Sequence, residues 1–210
     1  MKRFFGSDSA LYRIMEMLMQ LAMTGLLFLL CSIPVVTAGA SYAAMASLLL
    51  DLDQGGGRIT AAFFFKEWKR MLKRATAVWV PGLLILVILG FNIRFCLTRL
   101  SGTMRSVGCG VYVLLFVLIS GALLFFLILL SRTDFPLRDQ LKNAGILALA
   151  KLPAAILMVL FTVSPMVLFL MPGAWVIRLL PIIVLFWFSS PALMCVRIVR
   201  RVAGKYFDLD

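Results

Sequence analysis

At 210 residues the chain has the length of one or two soluble domains, but 63% of it is hydrophobic and its mean hydropathy is +1.05, which excludes a soluble fold. The net charge of +12 raises nucleic acid as a partner. The basic residues instead gather in short loops at the ends of apolar runs, where they meet an anionic inner leaflet at about 1 kcal/mol each.

Five stretches carry no Asp, Glu, Lys or Arg: Met17–Leu50, Ala75–Ile93, Ser106–Ser131, Leu152–Ile177 and Leu179–Val196. Uncharged apolar runs of about 18 or more residues are the pattern of bilayer-spanning helices. All nine acidic residues lie outside them. The predicted fold is all-α: one integral membrane domain over 1–210, a polytopic transmembrane helix bundle of about six spans with two interfacial amphipathic helices.

The N-terminus allows a cleaved leader, since Lys2 and Arg3 precede an apolar run and Ala38-Gly39-Ala40 is a small-x-small site. Asp8 and Glu16, and apolar character continuing past Ala40, speak against it. Met17–Leu50 would measure about 51 Å as one helix, against a hydrocarbon core of about 30 Å. Pro34 and Gly39 predict a break, giving helices at roughly 17–33 and 36–51. The second is short and rich in Ala and Ser, so its length leaves full crossing and re-entry both open. Asp51 and Asp53 mark its water-exposed end, before the flexible Gly55-Gly56-Gly57. That loop lacks the Gly-Lys-Ser/Thr of a phosphate loop and the later ligands of a calcium loop.

The segment 61–75 has two faces. Phe64, Trp68, Met71, Leu72 and Ala75 recur at helical spacing, while Lys66, Lys69, Arg70, Lys73 and Arg74 fill the other side. This predicts an amphipathic helix lying in the interface plane and turning up into the next span. Its basic face is either a membrane anchor or a docking surface for a cytoplasmic partner. The following spans are expected at roughly 76–96, 109–130, 152–171 and 175–196. Pro172-Gly173 would turn between the last two.

A second interfacial helix is expected at 136–150. Asp134 would cap it, and Leu137, Leu141, Ala144 and Leu147–Leu149 would supply its apolar surface. Both loops then share one design, a basic surface helix feeding a span with an early proline, Pro81 or Pro153.

With six crossings, 17 basic residues fall inside and four outside, namely Arg94, Arg99, Arg105 and Arg178. Five crossings give at best 14 against seven. The six-crossing arrangement, with both termini cytoplasmic, follows the positive-inside rule better. Cys31 and Cys195 fall in apolar runs as packing residues. Cys96 and Cys109 flank an outer loop, either as two separate thiols or as a disulfide.

The inventory speaks against an enzyme. There is no His, and the spans hold no acid to serve as a general base, a proton relay or a metal ligand. No catalytic residue, cofactor or metal is expected. The polar residues in or near the spans, such as Gln20, Thr24, Asn92, Thr162 and the serines, are expected to bond backbone carbonyls or bridge helices.

Pro34-Val35-Val36-Thr37-Ala38-Gly39 resembles the Pro-Val-Val-Thr-x-Gly motif of the YesL family of bacterial membrane proteins, the domain-of-unknown-function 624 family. Small residues follow it here, as in that family. Phe64-Phe65-Lys66-Glu67-Trp68-Lys69 is similar to its Phe-rich basic segment, and Leu141-Lys142-Asn143-Ala144 to its Leu-Lys-Asn-Ala element. Met71-Leu72 stands where the family often has Asn and an aromatic residue. The resemblance implies a multi-pass plasma-membrane protein without a defined activity, and, by association, a supporting role in carbohydrate uptake or sensing. Two readings follow. One is a non-enzymatic accessory or assembly protein bound to a carbohydrate transporter or membrane sensor. The other is a small homo-oligomeric permease for a neutral solute such as a sugar, with Trp79, Trp175 and Trp187 as stacking groups.

Overall fold

The computed structural model describes residues 10–54, 60–99, 101–133, 135–169 and 189–203. Seven α-helices are described: α1 (Ala10–Ser32), α2 (Ala38–Asp53), α3 (Ala61–Arg99), α4 (Gly102–Leu130), α5 (Leu137–Ala150), α6 (Leu152–Phe169) and α7 (Ser189–Ala203). No strand occurs among the described residues. Among the described residues, four helical segments are long and apolar enough to cross a membrane, Met15–Ser32, Val35–Asp53, Ala61–Arg99 and Gly102–Leu130. The pair α5 and α6, bent by 101° at its junction, is a fifth candidate. The expected turn at Pro172-Gly173 and most of the expected last span lie outside the described residues.

The first apolar stretch breaks where proline predicts. α1 ends at Ser32, and Val35–Thr37 forms a single 3-10 turn before α2. A residue preceding proline is pushed out of helical conformation, so α1 cannot continue through Ile33. The Thr37 hydroxyl lies 2.8 Å from both the Cys31 and the Pro34 carbonyl oxygens, and its proton satisfies carbonyls left open at the end of α1.

α2 is the centre of the bundle. Every residue from Gly39 to Leu50 is buried, and α2 packs against α1, α3, α4 and α7. Its small residues explain this, because membrane helices associate by close packing and small side chains let backbones approach. The same device joins α4 to α6, where a Cβ on Gly121 would lie 2.8 Å from the Ala155 Cβ. Phe125, Phe126 and Ile128 on the inner half of α4 close the core from the other side.

α3 corrects one expectation. Residues 61–75 do not form a separate helix that turns into the span. They continue with it as one 39-residue helix, about 58 Å long. Nothing between Ala75 and Val80 breaks a helix, and Pro81 is carried inside it. The two loops therefore do not share a design, since α5 does turn sharply, at Lys151, into α6.

Candidate functional site: a basic helix face and its support

The apolar face of the 61–75 segment is used within the protein. Phe64 and Ala75 are fully buried, Met71 is 2% exposed, and all three belong to the main core. Trp68 is half-buried, and its indole N–H donates to Ser41 Oγ on α2 at 3.2 Å. Phe64, Met71 and Ala75 are thus taken up by the protein's own core, while Phe63 and Phe65 stay exposed. The opposite face stays open: Lys66, Lys69, Arg70, Lys73 and Arg74 are all exposed. Arg70 is held in place, pairing with Glu67 at 2.7 Å and donating to the Ser131 carbonyl at 3.3 Å. Glu67 is buried and Arg70 is the cation beside it.

The Pro34–Gly39 motif acts as a seat for α3. The Trp79 indole N–H donates to the Val35 carbonyl at 3.0 Å. Gly39 lies against the same ring, so that a Cβ there would come within 2.6 Å of Trp79 Cγ. Val35 and Val36 point outward. Trp79 is thus committed to the fold, a role that its position in the sequence did not reveal.

Asp51 and Asp53 do more than mark a wet helix end. Asp51 pairs with Arg132, which also donates to Gln54 Oε1 at 3.2 Å. Asp53 accepts from Arg197 at 2.9 Å and from Arg200 at 3.0 Å. Carboxylates at a helix C-terminus oppose the macrodipole, and these arginines offset the penalty. The pairs tie the ends of α2, α4 and α7 together. With Arg70 on Ser131, they put the basic start of α3 at that same end.

The second surface helix appears nearly where expected, over Leu137–Ala150, but Pro136 precedes it as the capping position, and Asp134 lies outside the described residues. Its buried residues are Gln140, Ala144 and Ala148, with Leu137 and Leu147 partly buried against the core. Leu141 and Leu149 face outward, as does Lys142, and Asn143 is half-buried. Small residues allow α5 to sit tightly on α4. Gln140 Nε2 bonds the Thr133 carbonyl at 2.6 Å and its hydroxyl at 2.9 Å, which sequence patterning did not anticipate.

The four cysteines are free. Among the polar residues within the helices, Thr24, Ser120 and Thr162 bond carbonyls of their own helices, Ser189 bridges α7 to the Leu21 carbonyl at 2.7 Å, and the buried Gln20 Oε1 finds no partner.

Residues 21–93 match the model of a family described as "Protein of unknown function, DUF624". No curated protein and no solved structure matches the chain. The matched segment holds the Pro34–Gly39 motif, the Phe64–Lys69 segment and Trp79, the residues that join α2 to α3. Leu141–Ala144 lies beyond it.

Proposed function

The family resemblance is borne out over residues 21–93, a DUF624 segment of unknown function, and on that premise we propose that this chain is a non-enzymatic accessory protein of the bacterial plasma membrane. It crosses the membrane several times, with both termini cytoplasmic, and binds an acidic cytoplasmic surface of a carbohydrate transporter or membrane sensor. The observation that carries this reading is the division of labour on α3. Its apolar face is consumed by the core while five basic residues stay exposed on a helix braced by Glu67 and Ser131. A rigid row of cations suits a complementary charged partner, where such charges set specificity and association rate.

Several features support the orientation. The ion pairs gather the basic ends of α3 and α7 at one end of the bundle, the distribution of charge that cytoplasmic loops carry. The non-enzymatic reading rests on the absence of His and of acids within the apolar stretches. The permease reading gains no support from its polar groups. Asn92 bonds the Ile88 carbonyl of its own helix at 3.0 Å, and Trp79 bonds Val35.

The test is crosslinking in native membranes, followed by purification in mild detergent and mass spectrometry. Wild type is expected to bring down a stoichiometric partner. A K66E/K69E/K73E/R74E variant is expected to lose it by about tenfold or more while its melting temperature stays put, since exposed charges contribute little to stability. Retention of the partner by the charge-reversed protein, or recovery of wild type alone, would sink the proposal.

A further inference from the structure

A cleft of about 420 Å³ lies where the last residue of α2 meets the C-terminal half of α7. Among the described residues it is lined by Asp53, Arg197, Arg200 and Arg201. The arginines stand at i, i+3 and i+4, the spacing that puts side chains on one face of a helix. Three guanidiniums against one carboxylate leave the cleft a surplus of positive charge.

Asp53 accounts for only part of that cluster. Its carboxylate takes Arg197 Nε on one oxygen and Arg200 Nη1 on the other. A guanidinium carries several N–H donors in a planar fork, so this bond leaves the terminal nitrogens of Arg197 to other acceptors. Arg201 is exposed and pairs with no acid among the described residues. Arg200 and Arg201 also complement the negative end of the α7 macrodipole, but that effect asks for cations at a terminus and not for a cleft between helices.

The surplus charge selects the ligand. A metal cation would be repelled and a neutral solute would leave the charge unanswered. The arginine fork matches the oxygens of a phosphate, which it binds through parallel N–H bonds. The segment Val35–Asp53 is long and apolar enough to cross a membrane, so Asp53, its last residue, stands at the depth of lipid headgroups.

We propose that this cleft binds a phosphate ester through Arg197 and Arg201, with Asp53 fixing the Arg197 guanidinium. At that depth the headgroup of an anionic phospholipid supplies the phosphate; a soluble phosphate ester presents the same oxygens. The site uses none of the α3 cations and stands whether or not they bind a partner.

Native mass spectrometry of the full chain in mild detergent tests it, by titration with phosphatidylglycerol, phosphatidylcholine and glycerol phosphate in turn. A single phosphatidylglycerol is expected to bind about tenfold more tightly than phosphatidylcholine. Arg201→Gln leaves the Asp53 pairs intact and should cut that preference to about twofold. Lys69→Gln removes the same charge from the exposed face of α3 and should keep the preference within about twofold of wild type. Binding of glycerol phosphate that Arg201→Gln abolishes, with no preference between the lipids, would keep the phosphate site and assign it to a soluble ester. Absence of both kinds of binding overturns the proposal. So does binding that Arg201→Gln leaves unchanged. An equal loss from Arg201→Gln and Lys69→Gln would also overturn it, as diffuse attraction of anionic lipid to a basic protein.

Discussion

Gly39 is defined by what stands opposite it. Because its missing side chain admits the Trp79 ring, Gly39→Val should force α2 and α3 apart, at a cost of about 1–3 kcal/mol typical of overpacking. Trp79→Ala removes the obstacle together with the bond to Val35. The double variant should therefore lose less than the sum of the two single ones. A double-mutant cycle of melting temperatures in detergent reads this directly, and additivity would show that the two residues do not meet. The motif itself was legible in sequence, since proline, threonine and glycine each signal a chain break. Its purpose was not, because Trp79 lies 40 residues further on and periodicity says nothing about which ring fills which gap.

At the scale of an element, α3 carries the main difference between pattern and structure. Spacing predicts a helix over 61–75 with one apolar and one basic face, and those residues lie within α3, with Phe64, Met71 and Ala75 buried. The same spacing suits a helix on a membrane and a helix on a protein, so the pattern could not say what the apolar face meets. Burial shows where Phe64 goes: it is enclosed in the core while Lys66 and Lys69, around the helix from it, are open. In a background without native cysteines, Lys66→Cys and Lys69→Cys should react with a membrane-impermeant maleimide in opened vesicles. Phe64→Cys should react at least about tenfold more slowly, in proportion to how rarely the packed helix opens. Equal rates would mean that this end of α3 is not packed as described. α5 teaches the converse lesson. Of the residues expected on its apolar side, Ala144 and Ala148 are buried and Leu137 and Leu147 pack partly against the core, whereas Leu141 and Leu149 face outward and Gln140, read as polar, takes a buried place.

At the scale of the molecule, the apolar runs announced a helical membrane bundle, and among the described residues α1 to α4 and α6 fall on them. Charge counting placed Asp53 and Met104 on opposite sides of the bilayer. Gln54→Cys and Met104→Cys should accordingly be labelled from opposite faces of sealed, right-side-out vesicles, Met104→Cys from outside. Labelling of both from one face would overturn the six-crossing arrangement. The centre of the bundle was the least legible part. α2 looks unremarkable beside the long Leu- and Phe-rich runs, and only its small residues hint that other helices crowd around it. That position sets the order of biogenesis. α2 leaves the ribosome before α3, α4 and α7, which pack around it. Until they arrive its Ala and Ser surface faces lipid, with little to hold it there but the hairpin it makes with α1. The nascent chain must therefore protect an early helix whose neighbours do not yet exist, and α7, made after the other described helices, ties back to it where Arg197 and Arg200 reach Asp53.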